Sequence, residues 1–518
     1  MQLLAFFLLL LCYLLTGYGL LYLFKMRLKA AYTVTLSLLL GLAVASFLPF
    51  LLQLCYVEIT PATVFGILAL ACLVINLPLL DHYRKEGFAA FRRSLPRAGF
   101  QVRPYEIPFW VIIGFFIFVS VWRCYYLPPT SRDALSGPEA IAEVAVREHT
   151  LINSFFGIDL WTTNNQFKSP FLISLQVIYK MAGFPFGQVW LSIVFISITV
   201  FIYHALREKI HPLLAGLLLL LFTMSPEMYA YTFMILYDYS NMVFFFLGIF
   251  FLFRYLRDGG TNQLYFAGLL MGIATYIRSE TLALALLFLP LLLLVQWRKK
   301  MPVKNIALGN GLFLLPSLLG YYLPSQLYIK YYLPVHYDIG GLVNNHLSSL
   351  QPLFQRYGDI VTRLLAGEFA IHLWGYFFYF AALLFLAELV FVRRFSREAR
   401  NWLYAVLVLY LGLGVLGWLL PMINLNETTK RAMFKMLPLV LFYLANNELL
   451  IRLSNVISRW EEAPFRGSLA GATAGRPAPA SAAPPKSVLT RSGKTKPAAP
   501  PAKQRNNPPA GPSKKKKK

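Results

Sequence analysis

Charge is what this chain has least of. Asp, Glu, Lys and Arg together make up 14% of the 518 residues, while hydrophobic residues make up 58%. Soluble domains run at about 25% charged, so a water-soluble globular protein is excluded. Cysteine is scarce as well. Cys12, Cys55, Cys72 and Cys124 all lie in or at the ends of apolar runs, which excludes a disulfide framework or a cysteine metal cage and suits small packing residues. The histidines His149, His336, His346 and His372 form no tight ligand spacing with a carboxylate, so no metal site is read from them. An internal repeat is also missing, which counts against transporters built from inverted repeats. Acidic residues stop at Glu462, and roughly half of the net charge of +25 lies beyond it. The basic balance is therefore no argument for nucleic-acid binding.

What the chain does have is long apolar runs. About thirteen segments, from Leu3–Phe24 to Phe434–Ile451, are candidates to cross a hydrocarbon core of roughly 30 Å. They include the short Leu213–Ser225, Leu264–Ile277 and Leu282–Trp297, and the later Ile371–Val392 and Leu403–Leu420. The first run lacks a preceding cation and a small-residue cleavage site, so it reads as a spanning helix and not as a signal peptide. Basic clusters fall on every second connection: Lys25–Lys29, Arg84–Arg93, Arg207–Lys209, Arg254–Arg257, Arg298–Lys300 and Arg393–Arg400. The positive-inside rule makes that face cytoplasmic. The expectation is an all-α membrane domain over residues 1–460, amino terminus outside and carboxyl terminus inside. Two large external loops follow, 128–188 and 324–370. Residues 461–518, rich in Ala, Pro and Lys, lack the apolar surface to order themselves and read as a disordered cytoplasmic tail. Its lysines either adhere to anionic headgroups or serve only as a solubilising appendage.

The densest polar chemistry lies in the first external loop. Asp133 stands just beyond the fourth apolar run with no evident capping duty. It is either a solvated loop carboxylate or a base for an incoming hydroxyl. Ser136-Gly137-Pro138-Glu139 predicts a helix start with Ser136 as N-cap and Glu139 as its reciprocal partner. The helix that follows is amphipathic, its apolar side toward lipid or bundle, with Glu143 and Arg147 spaced for an ion pair. Further on, Lys168 precedes Pro170 and an apolar stretch. A lysine there either holds a phosphate at a helix start or extends its amine to the interface.

Asp238, after Pro226-Glu227-Met228 and within Leu236–Asn241, opens another apolar run and either orients hydroxyls or caps the helix. Arg278 ends a glycine-containing segment and is followed by Glu280, which offers a pairing partner. Thr429-Lys430-Arg431 and Lys435 collect on the last external connection, where basic residues are disfavoured; an anionic lipid phosphate or Glu427 would account for them. His336 and Tyr337 in the second external loop suit sugar binding or an interfacial aromatic belt.

This order of features resembles the membrane-embedded GT-C glycosyltransferases, in the branch of protein O-mannosyltransferases and aminoarabinose transferases. The resemblance spans roughly residues 105–300. It rests on an acidic residue after an early span, a surface helix, the turn Lys168-Ser169-Pro170-Phe171, Asp238 before a returning helix, and Gly268–Arg278. It implies that Asp133 acts on the acceptor. Relatives carry two adjacent acidic residues where this chain has Arg132-Asp133-Ala134, which leaves Glu139 and Glu143 as substitutes. It also implies a sugar donor carried on a polyprenyl phosphate, with Lys168, Arg278, Lys430 and Arg431 holding the phosphate and Asp238, His336 and Tyr337 holding sugar or acceptor. The acceptor is a protein or a glycolipid. Transfer would be inverting and would take place outside the membrane, in the periplasm of a bacterial inner membrane. Some relatives use a divalent cation, and the sequence leaves that open. A lipid-linked glycan flippase, or an O-antigen polymerase or ligase, is the competing reading. A transporter should carry ionisable residues along a path at mid-membrane depth, and here they sit at helix ends.

Overall fold

The computed structural model describes residues 2–86, 102–157, 168–332, 350–419 and 433–474. Helices make up the regular structure, and there is no strand among the described residues. The chain divides into two units, Met1–Glu461 and Glu462–Lys518. Of the second, residues 462–474 are helical, and the rest of the expected tail lies outside the described residues.

Among the described residues, eight helices are long and apolar enough to cross a membrane, or ten if each of two bent pairs is one span. The protein is an integral membrane protein, and these helices do not confirm the full thirteen spans expected from sequence. Two of the expected spans, Leu213–Ser225 and Phe434–Ile451, fall in the bent pairs. Pro212–Thr223 turns by 74° into Pro226–Phe233, and Met433–Ala445 turns by 54° into Glu448–Glu461. Ile371–Val392 is interrupted at Gly375, whose φ of 58° no helix tolerates, leaving the shorter Phe377–Val392. Hydropathy counts apolar residues and does not register such breaks.

The Tyr237–Asp258 helix is the axis of the bundle, with 94% of its apolar window buried against 17% for Pro104–Tyr126. It is apolar on all sides, as a helix surrounded by other helices must be. Phe244, Phe246, Phe250 and Phe251 pack in edge-to-face contacts with Phe171, Phe201, Phe442 and Phe266 respectively. Beside it runs Thr261–Ile277, which also packs closely on Val303–Tyr321. The closeness depends on glycine. A Cβ on Gly272 would stand 2.6 Å from Pro316 Cβ, and one on Gly320 would stand 2.3 Å from the Gly272 carbonyl oxygen. Apolar lipid tails give helices no hydrophobic reason to associate, so close backbone approach and dispersion must do so. Past Tyr321 the helix widens into a π-helical stretch, Tyr322–Tyr332.

In the segment expected to be the first external loop, the helix forms as Pro138–Glu148, and its apolar face, Ile141, Ala142 and Ala145, is fully buried. That face packs against Phe171–Met181, so it is turned to the bundle. The expected Ser136–Glu139 capping box does not form. Arg132–Leu135 makes its own helical turn, capped by Ser131, and the Ser136 hydroxyl donates back to the Arg132 carbonyl at 2.8 Å. Gly137 is the residue that precedes the longer helix, without a side-chain cap.

Candidate active site

Four chain segments meet at one end of the bundle. They are the turn 131–133 that follows Ile107–Tyr126, the segment 168–170 that leads into Phe171–Met181, the start of Tyr237–Asp258 and the end of Thr261–Ile277. Each end is tied down locally. Tyr237 Oη donates to the Ser169 carbonyl at 2.7 Å, and buried Asn241 donates to the Ala274 carbonyl at 2.6 Å and to Thr281 Oγ1 at 2.9 Å. Asn241 thus adds a second donor to a carbonyl in the last turn of its neighbour, which also accepts the Arg278 backbone N–H at 2.9 Å.

Four of the residues singled out from sequence, Asp133, Lys168, Asp238 and Arg278, gather in two adjoining pockets at this end. Asp133, Pro138, Lys168, Tyr237, Asp238 and Arg278 line a small cavity. Lys168, Tyr237 and Arg278 are shared with a cleft of about 120 Å³ that also includes Tyr276, Glu280 and Ser325. Lys168 Nζ lies 5.6 Å from the centre of the Tyr237 ring, a cation–π arrangement that fixes the amine over the cleft. The π-helical stretch supplies Pro324, Ser325 and Ile329, in keeping with the tendency of such distortions to occur at functional sites.

Arg278 is the electrostatic centre. Its Nη1 donates to Asp238, which is 2% exposed, and its Nε donates to Glu280 at 2.7 Å. Lys435, also 2% exposed, stands 3.5 Å from the same Glu280 oxygen. Burial pushes the Glu280 carboxyl up, but Arg278 and Lys435 outweigh it and hold the group below its ordinary range. Asp238 lies in the first turn of its helix and pairs with Arg278 instead of capping; the expected Arg278–Glu280 pair is present. A guanidinium has five N–H donors, so these two carboxylates leave others for an anion in the cleft.

Glu139 and Glu143 are placed elsewhere. They converge on Lys180 of the Phe171–Met181 helix at 2.7 and 2.9 Å, and Glu139 also accepts from Gln176. Arg147 completes the group at 2.8 Å from Glu143, as the helical spacing predicted. Hydrogen bonding from Lys180, reinforced by Arg147, draws the Glu143 carboxyl below its usual value. The arrangement ties the surface helix to the bundle. Lys430 and Arg431, and His336 and Tyr337, lie outside the described residues. Among the described residues no group of three or more His, Cys, Asp or Glu side chains could hold a metal ion.

Sequence reasoning missed Tyr237, Tyr276 and Ser325. An aromatic among thirty tyrosines carries no signal by itself. Tyr237 stood beside Asp238, and its position in the first helical turn was the available hint.

Comparison with known proteins bears on this site. Residues 170–319 match the family model described as dolichyl-phosphate-mannose-protein mannosyltransferase, a GT-C family. The matched stretch contains Asp238, Arg278 and Glu280 and begins two residues after Lys168. No curated protein and no solved structure matches the chain. The match bears out the resemblance to GT-C enzymes over that stretch and indicates a membrane glycosyltransferase of the mannosyltransferase type.

Proposed function

We propose that the protein transfers a sugar from a polyprenyl-phosphate donor to a hydroxyl of a protein or glycolipid acceptor in the Asp133–Arg278 cleft. The carrying observation is that Asp133, Lys168, Asp238 and Arg278, spread over 146 positions of sequence, line one cavity at a single end of the bundle. The basic stretch Arg254–Arg257 lies at the other end of the helix that begins with Tyr237 and Asp238, which supports an exterior, periplasmic cleft in a bacterial inner membrane.

The chemistry follows from the charges. Asp133 accepts the proton of the acceptor hydroxyl as its oxygen attacks the anomeric carbon. The bond from that carbon to the phosphate oxygen breaks on the opposite face, so configuration inverts in one displacement. The electron pair stays on the phosphate, and Lys168 and Arg278 stabilise the added negative charge. Asp238 and Glu280 fix the guanidinium beforehand, and Lys435 balances Glu280. Tyr237 keeps Lys168 aimed at the donor. Asp238 is also placed to accept from a sugar hydroxyl. Lys430, Arg431, His336 and Tyr337 would add contacts to phosphate, sugar or acceptor. No step above requires a divalent cation.

The reading is tested with purified protein in liposomes given either a radiolabelled polyprenyl-phosphate mannose or a nucleotide-linked mannose, with peptide and lipid acceptors. Label should reach an acceptor only from the lipid donor, with inverted linkage. Movement of the lipid donor between leaflets with no new glycosidic bond would replace this reading with a flippase.

A further inference from the structure

A second cavity, of about 170 Å³, lies toward the other end of the bundle, and the proposed transfer makes no use of it. Arg254 is sixteen residues along its helix from Asp238, about 24 Å at 1.5 Å per residue. Four cations line the cavity, Lys209, Arg254, Arg257 and Arg397, against the two carboxylates of Glu208 and Glu398. Both carboxylates are already engaged. Glu398 takes Lys209 and, at 3.6 Å, Arg257, while Glu208 pairs with Lys29 at 2.7 Å. Arg257 is further bound to Asp258 at 2.7 Å. Arg254 and Arg397 have no ion pair among the described residues, and Arg254 Nε is buried with no hydrogen-bond partner among them. An arginine N–H buried without an acceptor is costly and calls for one.

The lining is also aromatic. Trp402 lies 4.8 Å from the Phe253 ring and 5.0 Å from the Phe442 ring, and all three are buried. A cavity lined by both surplus guanidinium and aromatic rings fits an anion joined to an apolar stem. Planar guanidinium groups match phosphate oxygens, and basic pockets between spanning helices are where phospholipid headgroups are held.

We infer that this cavity binds a phosphate group, supplied by an anionic lipid whose first apolar segment lies against Trp402 and Phe442, with Arg254 and Arg397 as its ligands. The site is separate from the transfer cleft, so its test reads binding alone. Full-length protein in phosphatidylcholine nanodiscs is titrated with phosphatidylglycerol or with inorganic phosphate, and bound molecules are counted by native mass spectrometry. Phosphatidylglycerol should be retained in preference to phosphatidylcholine, and Arg254→Gln with Arg397→Gln should weaken it about tenfold or more. Arg394→Gln with Arg400→Gln removes equal charge from exposed positions outside the cavity and should leave retention unchanged. Arg397→Gln alone, at an exposed side chain that folding does not need, should show a partial loss, which guards against misfolding of the double variant. Inorganic phosphate that binds with the same dependence on Arg254 and displaces the lipid would uphold the phosphate site and assign it a soluble source. Equal loss in both double variants, or loss in neither, would overturn the assignment.

Discussion

Replacing Arg278 by Gln separates what the cleft needs for folding from what it needs for transfer. The substitution strands the Asp238 carboxylate, which is 2% exposed and has Arg278 as its cation, and leaves Glu280 to Lys435 at 3.5 Å. Removing one partner of a buried ion pair costs about 3–5 kcal/mol. Here the lower part of that range is expected, because Arg278 is itself 26% exposed and Lys435 remains nearby. Losing a donor to the charge developing on the leaving phosphate should lower turnover by about 10²–10³-fold. Asp238→Asn combined with Arg278→Gln removes the stranded charge. It should restore most of the lost thermal stability while transfer stays low, with Asp238→Asn alone as the baseline. The assay is thermal unfolding of the detergent-solubilised protein beside transfer from polyprenyl-phosphate mannose. If transfer in the double variant returns to the Asp238→Asn level, Arg278 serves only to neutralise Asp238, and its role toward the donor is refuted.

Lys180→Met leaves Glu139 and Glu143 facing each other without their shared cation and should destabilise by about 3 kcal/mol, more than Glu139→Gln, as read from unfolding midpoints. Glu143 is held below its usual carboxyl value, so its contribution is complete above about pH 4.5 and lost as pH falls through the depressed value; the acid limb of stability should flatten in Glu143→Gln. Gly272→Ala puts a Cβ 2.6 Å from Pro316, and the resulting shift of the helix that carries Arg278 should lower both stability and transfer. Ser154→Cys, at an exposed position, should react with an impermeant thiol reagent from outside. Cys55 is also exposed and must first be replaced; labelling only from the cytoplasmic side would reverse the orientation.

Much of this was legible because charge is scarce. In a chain with so few carboxylates and cations, Asp133, Lys168, Asp238 and Arg278 stand out at helix ends, and topology alone places helix ends of one parity on one face. The amphipathic helix Pro138–Glu148 was readable from its periodicity, as was the Glu143–Arg147 pair, while the turn of its apolar face to the bundle was not. The capping box was misread because the motif fits two roles. Once 132–135 forms its own turn, Ser136 ends that turn and cannot begin the next helix. The reach of Lys180 to Glu139, and of Lys435 to Glu280, depends on tertiary packing, which no local pattern encodes. The span count is not confirmed where an apolar run is interrupted, as at Gly375 within Ile371–Val392, or is short, as in the 17-residue Thr261–Ile277, since hydropathy registers neither.

The most direct test of the account is the rate of sugar transfer by Asp133→Asn, measured beside Glu139→Gln with purified protein and a polyprenyl-phosphate mannose. Asn keeps the size and polarity of the side chain but cannot take a proton. General-base assistance is worth about 10²–10⁴-fold, so Asp133→Asn should lose that much in turnover and keep its affinity for the lipid donor. Glu139→Gln should lose chiefly stability. Near-normal transfer by Asp133→Asn, with transfer abolished in a folded Glu139→Gln, would contradict the account.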